Sequence, residues 1–291
     1  MANSAKRRGP VTRLVKKLGR TSRAGLAGVD HLRSYLSGFL FADRWSEADG
    51  GNGAEPPKAE GASDPESEFE PSNPLRDYFE ANTSGPGIYK WLHYFEIYDR
   101  HLARFVGQDV HLLEIGVFSG GSLGMWRSYF GPKFRMTGVD IEPACKAYEN
   151  EYARIVIGDQ EDRAFWRKFW AESPPIDIII DDGGHTPEQQ RVTLEECLPR
   201  LRPGGVFICE DIHRVRNRFN SYLDGLGAAL NPMIHGTEPT PAGNHRVAAT
   251  PFQSRIHSIH RYPYLAVIET RREPLPTLNS VRRGSEWQPF L

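Results

Sequence analysis

Between residues 110 and 211 one pattern recurs five times: a short apolar run stops at an acid or a glycine. The runs are 110–116, 134–140, 154–158, 176–180 and 206–209, and helical patterns at 122–130, 161–170 and 187–201 fill most of the gaps. The aliphatic run 176–180 has the signature of a strand buried on both faces. Strands alternating with helices imply right-handed crossovers, hence an α/β fold with a doubly wound, mostly parallel sheet and helices on both faces. In such sheets ligands bind outside the carboxyl ends of the strands. Polar residues gather at those ends here: Glu114 and Gly116, Asp140, Asp159 and Gln160, Asp181 and Asp182, Glu210 and Asp211.

Charge along the chain separates this region from what precedes it. Residues 1–42 carry nine Lys or Arg against one Asp, residues 43–80 carry eleven acids against three bases, and the whole chain nets -1. That balance argues against a nucleic-acid binder, whose phosphate contacts need a positive surface. Val11, Leu14, Val15 and Leu18 recur at helical spacing among basic residues. Residues 1–45 are therefore a basic arm, either an amphipathic anchor or a solvated tail. Residues 46–73 hold almost no aliphatic side chains and are expected to be a disordered acidic linker, with the folded domain over 74–291. No run is long and apolar enough for a membrane helix. Cys145, Cys197 and Cys209 are too widely spaced for a disulfide framework or a zinc site, which points to a reducing, cytoplasmic compartment. Residues 86–106 are aromatic at helical spacing and predict a helix lying on the domain.

The first glycine-rich turn runs Glu114-Ile-Gly116-Val-Phe118-Ser-Gly120-Gly121-Ser122. Glycines let backbone approach a ligand closely, and the following helix N-terminus offers free N–H groups. A dinucleotide fingerprint needs a glycine where Phe118 stands, which weighs against an NAD-dependent oxidoreductase. The spacing instead resembles motif I of class I S-adenosylmethionine (SAM)-dependent methyltransferases. A carboxylate at Asp140 can accept both hydroxyls of a ribose. Asp159 and Gln160 resemble that family's adenine-binding position, and Asp159 alternatively caps a helix.

After the fourth strand comes Asp181-Asp182-Gly-Gly-His185, and after the fifth Glu210-Asp211-Ile-His213. In a doubly wound sheet these ends are neighbours, and four carboxylates gathered there repel one another unless a cation sits among them. Hard oxygen ligands without a thiolate select Mg²⁺, or Mn²⁺ in its place. The paired motifs resemble the Mg²⁺-dependent macrolide-sugar O-methyltransferases of the macrocin and mycinamicin type, as do residues 258–269 and, more loosely, Lys90-Trp91-x-His93-Tyr94-x-x-x-Tyr98.

The resemblance implies a Rossmann-like seven-stranded sheet and methyl transfer from SAM to a hydroxyl of a vicinal-diol small molecule, a sugar or glycosylated natural product. It implies Asp182, Glu210 and Asp211 as metal ligands and His185 as general base. Glu114, Gly116, Ser122, Asp140, Asp159, Gln160 and Asp181 would then bind the cofactor, and the chain would form a homo-oligomer. A non-catalytic SAM- or partner-binding domain is the other class of reading. His213 is open between orienting Glu210, binding substrate and starting a helix. His257 and His260 read as structural, and Trp126, Trp166 and Trp170 as core. The basic 214–218 and the Pro- and Gly-rich 231–250 fit no part of the resemblance, the second being a candidate acceptor lid.

Overall fold

The computed structural model of the chain describes residues 72–213, 217–231 and 245–286. The basic arm, residues 46–71 of the acidic linker, residues 214–216 of the basic segment and residues 232–244 lie outside the described residues. Seven strands form one sheet: β1 His111–Ile115, β2 Arg135–Asp140, β3 Ala153–Ile157, β4 Ile176–Asp181, β5 Leu201–Cys209, β7 Ile256–Tyr262 and β8 Leu265–Thr270. A separate antiparallel pair joins β6 His245–Ala248 to β9 Thr277–Ser280. The large sheet runs β3-β2-β1-β4-β5-β8-β7, with the first five strands parallel and β8 antiparallel to both its neighbours. This is the doubly wound, mostly parallel sheet that the alternating pattern predicts. Strand order reverses between β1 and β4, and that switch point opens a crevice at their carboxyl ends.

Among the described residues seven α-helices accompany the strands: α1 Pro74–Ala81, α2 Tyr94–Leu102, α3 Gly121–Phe130, α4 Arg163–Glu172, α5 Pro187–Cys197, α6 Arg218–Ala229 and the short α7 Pro251–Arg255. Ile178 and Ile180 of β4 point into a core shared with Tyr94, Tyr98 and Trp126 of α2 and α3. Ile179 points the other way, toward Trp166 of α4, Val192 of α5 and Phe219 of α6. Three successive isoleucines are thus fully buried on alternating faces, each contributing about 1.5–3 kcal/mol by area removed from water. Trp126 and Trp166 are core residues as expected, and the three cysteines are buried free thiols.

Three local expectations are corrected. Residues 86–93 are not helical: α2 begins at Tyr94, and the segment before it follows Pro86-Gly87 in extended and turn conformation. The helical pattern over 187–201 ends at Cys197, and β5 begins at Leu201, not at 206, so Pro203-Gly204-Gly205 lies inside the strand, where pairing with β4 shifts register between Ile176 and Ile178. The aliphatic run of β4 is interrupted by Asp177, whose carboxylate accepts from the His111 backbone N–H at 2.9 Å and from Arg202 at 3.0 Å. An acid is tolerated there because it sits at the amino end of the strand with both partners supplied.

Candidate active site

A cleft of about 680 Å³ lies at the carboxyl ends of β1, β2, β3 and β4, a size suited to a nucleoside-sized ligand. Gly116, Ser122, Asp140, Asp159 and Gln160 all line it. Gly116 has φ +91, and a Cβ there would stand 2.1 Å from the Asp182 carbonyl oxygen, so the turn admits no side chain. Phe118 has φ +47, a left-handed backbone, and its side chain, 76% exposed, stands at the edge of the cleft. Asp140 accepts from the Val117, Phe118 and Glu142 backbone N–H groups at 2.8, 3.0 and 2.9 Å. Burial works against its charge, but those three donors hold its carboxyl below the usual range. Asp159 accepts from the Glu161 N–H, while the cap of α4 is Asp162.

Two residues read as cofactor-binding do not reach the cleft. Glu114 is fully buried beneath it, accepting from the Ser122 hydroxyl at 2.7 Å and the Trp126 indole at 3.2 Å. Asp181 is likewise buried and receives Gln160 Nε2 at 3.0 Å. Burial pushes the Asp181 carboxyl up to about 8, with the Gln160 and Gly183 hydrogen bonds pulling the other way. Both acids support the floor: Gln160 also bonds Thr193 and accepts from the Gly184 N–H, tying the loop after β4 to the end of β3. Sequence position alone could not separate them from Asp140, because all three end a strand.

The acids that follow β4 and β5 converge on the cleft's wall. Ligand atoms of Asp182, His185 and Asp211 all lie within 4.8 Å of one another. His185 Nε2 is 3.6 Å from Asp211 Oδ2, not paired with Asp181, and the cap of α5 is Thr186, not His185. His213 Nε2 is 3.5 Å from the other oxygen, Asp211 Oδ1, so two imidazoles flank one carboxylate. Asp211 itself has φ +53, a strained conformation for a residue other than glycine. Glu210 is set apart: it is buried behind Asp182 and is not among the three groups that converge.

Lys90, which the looser resemblance includes without a role, is the cation that pairs with Asp182 and Glu210. Lys90, from the extended segment before α2, places its ammonium 2.5 Å from Asp182 Oδ2 and 2.9 Å from Glu210 Oε2. Its side chain is shut off from water. Burial opposes the charge, yet Asp182, Glu210 and Glu114 together raise its pKa above the usual range, so it stays an ammonium. Burial and the charge of Asp182 push the Glu210 carboxyl up, while Lys90 and the Tyr98 hydroxyl, donating at 2.6 Å, pull it back. The same segment supplies the Asp211 donors: Trp91 Nε1 and the Tyr94 hydroxyl each reach Oδ1 at 3.0 Å. Reading 86–93 as helix hides all this. The signal available was a lone lysine among aromatics after a Pro-Gly break.

His257 and His260 do not line the cleft; the His260 ring packs 4.7 Å from that of His101, beside Glu269 and Ser258. No helix among the described residues is long and apolar enough to cross a membrane.

Comparison with known proteins bears on this site. A family model described as a methyltransferase domain matches residues 113–212, which span β1 to the end of β5 and the acids after it. The 8-demethyl-8-(2-methoxy-alpha-L-rhamnosyl)-tetracenomycin-C 3'-O-methyltransferase of Streptomyces olivaceus is 30% identical over 218 residues, covering 66% of this chain and 52% of that protein. Demethylmacrocin O-methyltransferase of Streptomyces fradiae is 35% identical over 153 residues, covering 49% of this chain and 37% of that protein. The solved structure of MycE methyltransferase from the mycinamycin pathway, with Mg, SAH and mycinamycin VI, superposes with a TM-score of 0.55 at 27% identity. It covers 68% of this chain and 53% of that one. The chain thus spans about half the length of the first relative and of MycE, and less of the second. Residues 113–212 thus match a methyltransferase domain, and the chain is similar to O-methyltransferases of tetracenomycin and macrolide pathways.

Proposed function

We propose that the chain transfers the methyl group of SAM to a hydroxyl of a vicinal-diol small molecule, a sugar of a glycosylated natural product, with Mg²⁺ or Mn²⁺ in the site. The observation that carries this reading is the convergence of Asp182, His185 and Asp211 within 4.8 Å on the wall of the cleft. The relatives support the substrate class: one is an O-methyltransferase of a rhamnosyl tetracenomycin, and MycE is bound to Mg, SAH and mycinamycin VI.

The donor set fits a divalent metal. Asp182, Glu210 and Asp211 bring three carboxylates against the single ammonium of Lys90, and one divalent cation balances the remainder. Asp182 and Asp211 face the cleft and would hold the ion, with Glu210 behind them. Bound there, the metal supplies Lewis acidity that eases ionisation of an acceptor hydroxyl. Asp211 Oδ2, 3.6 Å from His185 Nε2, is near enough for its charge to favour the imidazolium formed on proton uptake. His185, half-exposed at the wall, is placed to take the hydroxyl proton as the oxygen attacks the methyl carbon and the thioether of S-adenosylhomocysteine departs. Asp140, kept ionised by three backbone donors, is placed to meet the ribose hydroxyls.

The test is methyl transfer from labelled SAM to a rhamnosyl glycoside. EDTA is expected to suppress turnover and Mg²⁺ to restore it. His185→Ala should lower turnover about 100-fold or more with S-adenosylhomocysteine affinity intact. Full turnover in metal-free buffer removes the metal, an unchanged His185→Ala rate removes the base, and no transfer to any vicinal-diol glycoside ends the reading.

A further inference from the structure

The hairpin between β7 and β8 turns through two residues only, Pro263 and Tyr264. Tyr264 has φ +59, the left-handed region that glycine or asparagine fills most readily and a bulky side chain least. The backbone explains how that turn is held: the Tyr264 carbonyl accepts from the Ile212 N–H at 2.8 Å and lies 3.2 Å from the Tyr94 hydroxyl. It does not explain the aromatic ring, which is 44% exposed and so gains little from burial.

The ring's neighbours do suggest a use. The Trp91 ring lies 5.3 Å from it at an interplanar angle of 42°, and the His213 ring 5.1 Å away at 59°. His213 in turn stands 6.2 Å from His185. A row of rings therefore runs along the rim outside the cleft, from half-exposed Trp91 through Tyr264 and His213 to the residue read as the base. Trp91 is joined to the same centre by its indole N–H on Asp211.

We propose that Trp91 and Tyr264 form a stacking platform for the pyranose ring of the acceptor, a reading that rests on the transferase function above. A pyranose has apolar C–H faces and a polar edge; the first stack on aromatic rings and the second needs ionic or hydrogen-bonding groups. The rim offers both in one place, aromatic faces beside the Asp211 carboxylate and the His185 imidazole. The two rings are 43% and 44% exposed, so each keeps part of its surface open to a ligand while they pack on one another. Tyr264 also lines a polar groove of about 380 Å³, with Asn220 and Arg261 in its wall, which offers hydrogen-bonding groups to the rest of a glycoside.

Saturation-transfer NMR tests this, with methyl α-L-rhamnopyranoside as the probe and the full chain holding S-adenosylhomocysteine and Mg²⁺. Transfer to the sugar's ring protons is expected in the unaltered chain. Tyr264→Ala should reduce it at least threefold, Trp91→Ala similarly, and Tyr264→Phe should preserve it. S-adenosylhomocysteine affinity should stay within twofold for the Tyr264 variants. Equal transfer in Tyr264→Ala overturns the platform, as does a parallel loss of S-adenosylhomocysteine affinity, which would make the ring structural, or no transfer in the unaltered chain. Failure of the transferase reading is distinguishable: the rhamnoside would then bind through Tyr264 while no methyl group moves.

Discussion

Take Lys90 away and two carboxylates, Asp182 and Glu210, face each other without their shared cation. Glu210 is fully buried and Asp182 largely so, and removing one partner from a buried ion pair costs about 3–5 kcal/mol because the charge left behind is uncompensated. Lys90→Met is therefore expected to destabilise the metal-free protein by about 3 kcal/mol in urea unfolding, with Mg²⁺ recovering part of the loss. A loss below about 1 kcal/mol would show that the acids do not depend on this lysine. The acids themselves were legible in the sequence, since each stops an apolar run and the signal is local. The role of Lys90 was not, although the residue falls in the resembling stretch, because its partners Asp182 and Glu210 lie 92 and 120 residues away along the chain. Glu114 and Asp181 show the opposite error. Their local signal matched that of Asp140, and only the direction of the side chain, set by packing, separates floor from lining.

At the scale of elements, periodicity found every strand of the parallel set, because each keeps a buried aliphatic stretch even where a polar residue such as Asp177 interrupts it. It failed over 86–93, where aromatic residues at helical spacing cover the site instead of lying in a helix. Tertiary contacts to Asp182, Glu210 and Asp211 outweigh local preference there. How an element ends carries its own prediction. Gly116 after β1 and Gly131 after α3 have nearly the same φ, +91 and +89, yet opposite surroundings. A Cβ at Gly116 would meet Asp182 backbone at 2.1 Å, whereas nothing lies within 4 Å at Gly131. Gly131, with ψ -169, occupies a region open essentially to glycine alone, so Gly131→Ala should cost only that backbone penalty, about 1–3 kcal/mol. Gly116→Ala adds overpacking of about 1–3 kcal/mol and pushes the loop after β4 away from the cleft. Urea midpoints should separate the two variants, with S-adenosylhomocysteine binding lost in Gly116→Ala alone; equal losses would mean that the close approach of the two loops is not needed.

Across the whole molecule, the direction of the strands sorts charge by task. Carboxyl ends hold the acids, Lys90 and the cleft; amino ends hold the Asp177–Arg202 and Asp109–Arg135 pairs and the buried His111. The pH dependence of folding should therefore be separable from that of the site. His111 starts the central strand β1, with Nε2 3.0 Å from the Thr137 hydroxyl, and burial, aided by Arg135, lowers its pKa to about 4. In the folded chain it stays neutral between its unfolded pKa of 6.5 and about 4, while the unfolded chain takes up a proton. The unfolded state binds more protons in that window, so stability is intact above 6.5 and falls as pH drops toward 4. From pH 7 to 5 the loss attributable to this one imidazole is about 2 kcal/mol. His111→Gln cannot titrate, and its urea-unfolding free energy should fall by about 2 kcal/mol less than that of the unaltered chain over the same interval, whatever its stability at pH 7. Parallel profiles for the two proteins would show that His111 does not set the acid limb of folding.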